Sequence, residues 1–240
     1  MDVPITKNNI LAAIDIGSYS IKMKISQVDS KGKVSTLEAL RKYINLGKDT
    51  FITGTVRHEH VEDICGILKG FKKLMSEYGT DKYMIVATSA LREAKNCDYI
   101  LDYIYQRTGF KINIISESEE RYFTYSAIID KLKEFPELKQ EGVLITDVGS
   151  GGVEITLFNK GDLIFTEYIK IGSLRLKEIL STLERKTLNF PSLIGEYIES
   201  EMDTLNALLL KNPIKNFLII GSEILVIHDI LQKNKKEYNR

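Results

Sequence analysis

The amino-acid sequence predicts an α/β protein with two related lobes, each built around a mixed β-sheet. The first observation is an apolar segment that ends in Ile14-Asp15-Ile16-Gly17-Ser18, an acidic residue followed by a flexible turn. The second is a similar segment later in the chain, Thr146-Asp147-Val148-Gly149-Ser150-Gly151-Gly152. The third is that strand and helix patterns follow both segments in a similar order. The repeat therefore predicts one architecture for both halves.

The first lobe begins with three predicted strands, at residues 9–16, 20–28 and 34–43. Apolar residues then recur every three or four positions from about residue 57 to 78, which predicts an amphipathic helix closed by Gly79. The remaining predicted elements are a strand at 83–87, a helix that ends at Gly109, a strand at 111–115 and a helix from 116 to about 135. The order of elements is β-β-β-α-β-α-β-α.

The second lobe repeats this order but is shorter. Its predicted elements are strands at 143–147, 153–158 and 163–171, a long helical region with apolar residues from Ile194 to Leu209, a strand at 217–220 and a helix at 223–233. It lacks a counterpart of the strand at 111–115, so one sheet edge would be unpaired. We therefore hypothesise a homodimer formed through this edge, which a monomeric elution volume over a wide concentration range would contradict.

This order of elements resembles the ribonuclease-H-like fold that actin, sugar kinases and heat-shock ATPases share. We predict two ribonuclease-H-like (actin-like) lobes with mixed sheets, at residues 1–134 and 135–240, the second incomplete at its C-terminal end.

Composition narrows the class of protein. The chain has 240 residues, of which 43% are hydrophobic, and 33 basic residues balance 33 acidic ones. This balance does not favour nucleic acid or an anionic membrane surface as a partner.

Because the sequence shows neither a signal-peptide pattern nor a membrane-spanning apolar run, we expect a cytoplasmic protein. Cys65 and Cys97 lack metal-ligand spacing, so we expect free thiols.

Each repeated turn has the chemistry of a phosphate site. A buried strand delivers a carboxylate to the sheet edge, and the small residues that follow let the backbone turn sharply with its N–H groups exposed. Because the Asp carboxylate and phosphate are both negative, we expect Asp15 and Asp147 to hold a hydrated divalent cation or to orient a water. An ordinary hairpin turn is the alternative for either copy alone.

Two further residues carry candidate chemistry in the first lobe. Arg92 follows the strand that ends near Ala87, at the edge where open α/β sheets bind ligands, and its guanidinium can grip phosphate with two N–H groups. Ser116 and Glu119 match a capping box at the start of the next helix. Glu120, one position on, is the candidate general base for a bound water. A solvated arginine and simple helix capping are the alternatives.

Together these segments resemble the family of exopolyphosphatases and guanosine pentaphosphate phosphohydrolases. Five segments carry the resemblance. Residues 14–20 resemble IDIGSNS, 88–96 match T-x-A-x-R-x-A-x-N, 115–116 and 119–120 match I-S-G-x-E-E-A, 147–154 resemble D-I-G-G-G-S-T-E, and 172–176 resemble G-x-V-R-L. The sequence at 220–222 is similar to the loop on the nucleotide side of the second lobe.

The resemblance implies magnesium-dependent hydrolysis of terminal phosphoanhydrides in inorganic polyphosphate or guanosine pentaphosphate. Polyphosphate or guanosine penta- or tetraphosphate would be the bound partner. By position in the motifs, Glu120, Asp147 and Glu154 would be catalytic, with Glu120 as the general base. Magnesium would be held by Asp15, Asp147 and Glu154. Phosphate would be bound by the remaining matched residues, Gly17, Ser18, Arg92, Gly149, Ser150 and Gly151.

Three departures from the family pattern bear on the proposed chemistry. Gly152 stands where the family has Ser, Tyr19 replaces a small Asn, and Glu117 replaces a Gly. These changes leave two alternatives open. One is a non-catalytic sensor of polyphosphate or guanosine nucleotides, because binding needs Arg92 and the turns but not Glu120. The other is an ATP-dependent kinase or actin-like ATPase, which the single glycine at Gly221 disfavours.

Overall fold

The computed structural model describes residues 9–184, 186–209, 212–221 and 224, without the side chains of residues 182, 204 and 206–208. The chain divides into two compact units, residues 1–120 and 121–240. The predicted helix at 223–233 and Ser222 lie outside the described residues, except for Ile224.

The first unit follows the predicted order with two additional short helices. Its elements are β1 (Ile10–Ile16), β2 (Ser20–Val28), β3 (Val34–Tyr43), α1 (Leu46–Thr53), α2 (His58–Glu77), β4 (Tyr83–Ala87), α3 (Ser89–Arg92), α4 (Cys97–Thr108), β5 (Asn113–Ile114) and the start of α5 (Glu117–Lys131). Helices α1 and α3 were not predicted, because neither has a long apolar repeat. Strand β5 is shorter than the predicted strand at 111–115.

The strands of the first unit form one mixed sheet in the order β3-β2-β1-β4-β5. Strands β1, β2 and β3 are antiparallel neighbours, whereas β4 is parallel to β1 and β5 is parallel to β4. Alternate residues of β1, from Ile10 to Ile16, are buried in a core that also includes Val61 and Leu68 of α2 and Ile100 of α4. This parallel arrangement brings the carboxyl ends of β1 and β4 to the same edge of the sheet.

The second unit contains a smaller mixed sheet. Its elements after α5 are α6 (Phe135–Glu141), β6 (Val143–Val148), β7 (Val153–Asn159), β8 (Asp162–Ile169), α7 (Ser173–Glu184), α8 (Phe190–Leu209) and β9 (Asn216–Ile220). The strand order is β8-β7-β6-β9, which matches β3-β2-β1-β4 of the first sheet. This match confirms the predicted repeat, and within the described residues the second sheet has no counterpart of β5. The oligomeric state stays a prediction.

The predicted long helical region is helical, and the residues from Ile194 to Leu209 that marked it lie on one helix, α8. A separate helix, α7, precedes it after a short connection. Asn189 accepts a hydrogen bond from the Ser192 N–H at 3.3 Å, as an N-cap side chain does. Pro191 lies in the first turn of α8, where its missing N–H costs no hydrogen bond. These two residues start a new helix at a position that the apolar pattern alone did not indicate.

Apolar clusters cover both faces of the second sheet. Leu144, Ile155 and Leu157 belong to a cluster that includes Leu176 and Leu180 of α7. Val143 and Ile145 belong to another cluster, with Ile128 of α5 and Phe135 of α6. Within the described residues, no helix is long and apolar enough to cross a membrane.

Candidate functional site

The turn between β1 and β2 is held by the junction between β3 and α1. The Ser18 carbonyl accepts a hydrogen bond from the Gly47 N–H at 2.9 Å, and the Tyr19 carbonyl accepts one from the Ile44 N–H at 3.0 Å. Because C=O and the next N–H point in opposite directions in a trans peptide, the Tyr19 N–H points away from α1. These two hydrogen bonds therefore fix the orientation of the turn.

The Ser18 side chain joins this turn to the segment that follows β4. Ser18 is 2% exposed and Ser89 is 6% exposed, and their hydroxyl oxygens lie 2.9 Å apart. Thr50 of α1 donates a hydrogen bond to the Ala90 carbonyl at 2.9 Å. The predicted phosphate-binding residue Ser18 thus uses its hydroxyl inside the protein to connect the two segments.

Asp15 lies opposite Lys22 in the register of β1 and β2, and the nearest ion-pair atoms are 3.6 Å apart. Desolvation by the surrounding protein raises the pKa of Asp15, while the charges of Lys22 and Arg41 act in the opposite direction. A cation bound at Asp15 would lie beside the Lys22 ammonium group.

Arg92 is oriented by two acceptors on one of its terminal nitrogens. Nη1 donates to the Ile115 carbonyl at 2.8 Å and to Oε2 of Glu120 at 3.3 Å. Nη2 is buried and has no hydrogen-bond partner among the described residues; the Glu117 carboxylate, an ion-pair partner, lies 3.9 Å from it. A buried N–H donor without an acceptor is costly, so the geometry fits an anion that accepts a hydrogen bond from Nη2.

The start of α5 fixes the position of Glu120. The predicted capping box is confirmed: the Ser116 N–H donates to Glu119 Oε2 at 2.8 Å, and the Glu119 N–H donates to Ser116 Oγ at 3.2 Å. Hydrogen bonds from the Ser116 N–H and hydroxyl lower the pKa of Glu119. Glu119 is used as a cap, whereas Glu120 accepts a hydrogen bond from Arg92.

The turn between β6 and β7 is held by the N-terminus of α7. The Gly149 carbonyl accepts a hydrogen bond from the Ser173 N–H at 3.3 Å, and the Ser150 carbonyl accepts one from the Arg175 N–H at 3.1 Å. The Gly151 carbonyl accepts a hydrogen bond from the Arg175 side-chain Nε at 2.6 Å. Three successive carbonyls therefore point toward α7.

The amide N–H groups of the same peptides must point the other way. These are the N–H groups of Ser150, Gly151 and Gly152, and successive N–H groups on one side of a turn form a concavity that suits an anion. Gly172 permits this packing, since a Cβ there would overlap the backbone of residues 150–152. This backbone orientation is compatible with the predicted phosphate turn, whose role stays a prediction.

Gly152 is also constrained by its surroundings. A Cβ at this position would overlap the ring of Tyr168 on β8. A serine, which the family motif has here, would therefore displace Tyr168. The departure from the motif at Gly152 is explained by this contact.

Asp147 and Glu154 lie directly opposite each other in the antiparallel pair of β6 and β7. Arg121 of α5 donates from Nε to Glu154 Oε1 at 3.0 Å, and Thr124 donates to Asp147 Oδ2 at 3.4 Å. Facing carboxylates repel each other unless a cation lies nearby. The Arg121 guanidinium is one such cation.

The predicted site residues are divided between the two units. The first unit contains Asp15, Gly17, Ser18, Arg92 and Glu120, and the second contains Asp147, Gly149, Ser150, Gly151 and Glu154. Among the residues described, no group of three or more His, Cys, Asp or Glu side chains is placed to hold a metal ion. The roles assigned to these residues stay predictions.

Sequence reasoning missed three contact residues. Arg121 and Thr124 are three positions apart on α5, a spacing that places side chains on one helix face. That spacing is a weak signal, because solvated helices show it as well. Arg175 was part of a matched motif, but nothing in the sequence indicated that it contacts Gly151.

Comparison with known proteins identifies the class. The model of the Ppx/GppA phosphatase family matches residues 24–223. The chain therefore belongs to the Ppx/GppA phosphatase family, and the predicted recognition is confirmed.

Two curated relatives are much longer than the matched region. A bifunctional 3-dehydroquinate synthase/phosphatase from Fusobacterium nucleatum is 30% identical over 179 residues, which cover 72% of this chain and 26% of that protein. Exopolyphosphatase 1 from Mycobacterium bovis is 20% identical over 146 residues, which cover 61% of this chain and 41% of that protein. The chain thus spans about a quarter of the length of the first relative and about two fifths of the length of the second.

Solved structures confirm the predicted fold class. The crystal structure of the Aquifex aeolicus Ppx/GppA family member matches with a TM-score of 0.65 and 25% identity, covering 90% of this chain and 67% of that one. An exopolyphosphatase from Cytophaga hutchinsonii matches with a TM-score of 0.78 and 18% identity, covering 95% of this chain and 72% of that one. The protein has the two-lobed actin-like fold of its family, with a small second sheet.

Proposed function

We propose that the protein is a phosphohydrolase that releases terminal phosphate from inorganic polyphosphate or guanosine pentaphosphate by metal-assisted attack of water. Membership in the Ppx/GppA phosphatase family supports the reaction class. The observation that carries the proposal is the buried Nη2 of Arg92, which has no hydrogen-bond acceptor among the described residues. A phosphate oxygen would supply that acceptor.

Arg92 would hold a phosphate group in a defined orientation. Its Nη1 is already engaged by the Ile115 carbonyl, so the guanidinium is fixed before the substrate arrives. A guanidinium that needs no reorganisation stabilises the charge of a transferring phosphoryl group, and positioning with charge neutralisation supplies most of the catalysis in phosphoryl transfer. The turn at Gly17–Ser18 in the same unit would add backbone N–H donors, and the turn at Gly149–Gly151 is proposed to bind phosphate in the second unit.

Glu120 would act as the general base. Its Oε2 lies 3.3 Å from Arg92 Nη1, so its carboxylate is next to any phosphate that Arg92 binds. In the proposed step Glu120 accepts a proton from water, the water oxygen bonds to the terminal phosphorus, and the phosphoanhydride bond to the leaving phosphate breaks. Orthophosphate and a chain shorter by one phosphate are the products.

The residues in the second unit fit a magnesium ion. Magnesium prefers oxygen ligands and is usually bound through one or two carboxylates together with substrate phosphates. Asp147 and Glu154 face each other across two strands and supply such a pair, and a cation near them would relieve their repulsion. Bound magnesium would neutralise negative charge on the phosphate oxygens. In the first unit, Asp15 is likewise proposed as a ligand for a divalent cation.

A sensor without catalysis is the second candidate. Glu120 and Glu154 each accept a hydrogen bond from an arginine, Arg92 and Arg121 respectively. This observation favours a role in which the carboxylates orient arginines rather than activate water. Such a protein would bind polyphosphate or guanosine nucleotides and release no phosphate.

Phosphate release from long-chain polyphosphate and from guanosine pentaphosphate, with and without magnesium, distinguishes the two candidates. We expect release by the wild type and a loss of at least about a hundredfold in Glu120→Gln with substrate binding retained. The matched control is Glu59→Gln, because Glu59 on α2 has an 83% exposed side chain. If the wild type binds these substrates but releases no phosphate, the protein is a sensor and the proposal of a hydrolase is wrong.

A further inference from the structure

We infer that Arg175 is a positioning residue that sets which side of the Gly151–Gly152 peptide faces bound phosphate. This inference rests on the proposed phosphate site at the turn between β6 and β7. The inference concerns the orientation of the Gly151–Gly152 peptide group. Neither family membership nor the matched motifs specify this orientation.

Arg175 is placed by α7 and is 6% exposed. Its backbone N–H donates to the Ser150 carbonyl at 3.1 Å, and its side-chain Nε donates to the Gly151 carbonyl at 2.6 Å. One residue therefore holds two successive carbonyls of the turn. A hydrogen bond from a charged donor in a buried position is among the stronger ones in proteins.

The Gly151–Gly152 peptide is the part of the turn that most needs such a restraint. Glycine has no Cβ, so the backbone dihedrals on both sides of this peptide have a wider intrinsic range than in other residues. Rotation would turn the Gly151 carbonyl away from α7 and the Gly152 N–H toward it. The turn would then offer phosphate an acceptor where it now offers a donor.

Arg175 opposes this rotation because its Nε would lose a buried acceptor. A buried donor left unsatisfied is costly, more so when it carries a charge. The fixed peptide keeps the N–H groups of Ser150, Gly151 and Gly152 on one side. Arg175 thus contributes to phosphate binding by orienting the backbone, without touching phosphate itself.

The test uses ¹⁵N-labelled full-length protein titrated with inorganic phosphate, with the amide signals of residues 150–152 followed by NMR. We expect Arg175→Met to weaken the Kd for phosphate at these amides by about tenfold or more. Arg175→Lys keeps the charge but not the fork of donors, so we expect it to restore only part of the affinity. Arg107→Met is the matched control, since it removes the same charge from a side chain that is 52% exposed.

The outcomes separate this inference from the proposed function. An unchanged Kd in Arg175→Met would overturn the role of Arg175 and leave the phosphate site standing. Full recovery in Arg175→Lys would also overturn it, because charge alone would then suffice. No response of the loop amides in the wild type would overturn the proposed phosphate site together with the inference.

A second measurement needs no variant at Arg175. In the wild type, we expect the Nε–H of Arg175 to exchange with solvent at least about tenfold more slowly than that of Arg107, because it is buried and hydrogen-bonded. Equal exchange rates would overturn the inference even if Arg175→Met failed to fold.

Discussion

Asp147 faces Glu154 across the antiparallel pair of β6 and β7, and the guanidinium of Arg121 lies against Glu154 at 3.0 Å. Two carboxylates in directly opposed positions destabilise a sheet. Arg121 offsets this repulsion at Glu154, and the metal-assisted reaction proposed above would place a second cation beside the pair. Removal of one of these carboxylates should therefore raise the stability of the fold and lower the proposed activity.

We expect Asp147→Asn to raise the free energy of unfolding by about 0.5 kcal/mol, because it removes the repulsion between facing carboxylates. The same change should lower magnesium-dependent phosphate release by at least about tenfold, because one metal ligand is lost. Urea unfolding without magnesium and phosphate-release assays check the two parts. A variant that is less stable and fully active would contradict both parts.

Arg92→Met should raise KM for polyphosphate by at least about tenfold, because it removes the charged donor proposed to grip phosphate. Arg92→Lys should recover only part of this loss, since a lysine cannot present two parallel N–H groups. Steady-state kinetics of both variants, with Arg107→Met as the control for charge, test the prediction. Equal KM values for wild type and Arg92→Met would show that phosphate is held elsewhere.

The buried hydroxyls of Ser18 and Ser89 are each other's hydrogen-bond partners at 2.9 Å. Ser18→Ala should lower the free energy of unfolding by about 1–3 kcal/mol, because Ser89 is left as an unsatisfied buried hydroxyl. Ser89→Ala should have a similar effect. The double variant should cost less than the sum of the two, and equilibrium denaturation of all four proteins gives this coupling. Simple additivity would mean that the two hydroxyls do not depend on each other.

The buried carboxylate of Asp49 predicts an acid-dependent loss of stability. Desolvation is the largest single influence and raises its pKa, but hydrogen bonds from the Arg57 N–H, His60 Nδ1 and the Arg57 guanidinium outweigh it and lower the pKa below 3.8. The unfolded state then binds more protons than the folded state below about pH 4. The contribution of Asp49 is present above the unfolded pKa and is lost as the pH falls through the folded one.

Urea unfolding at several pH values between about 2 and 5 checks this prediction. The wild type should lose stability more steeply with acid than Asp49→Asn, whose side chain does not titrate. Lys48 is next in sequence and exposed, so Lys48→Ala serves as a neighbouring control with an unchanged acid slope. Parallel curves for wild type and Asp49→Asn would mean that Asp49 has no lowered pKa.

Much of the fold follows from local patterns. The alternation of apolar residues in β1 and the repeated three-and-four spacing in α2 predicted both elements, because each has one face against a core. Short helices such as α3, with four residues, were missed because so few positions show no period. The boundary between α7 and α8 was not predicted, because the apolar spacing from Ile194 to Leu209 marks α8 but not the residue at which it begins.

The sequence by itself determined the two lobes, the repeated strand order and the two turns after β1 and β6, because strand periodicity and glycine turns are local properties of the chain. It also marked Arg92 and Glu120 as candidates through the motifs. Only the tertiary structure decided that Arg92 meets Glu120, that Ser18 meets Ser89 and that Arg175 holds Gly151. Those contacts join residues far apart in sequence, and long-range packing rather than local propensity determines which side chains meet.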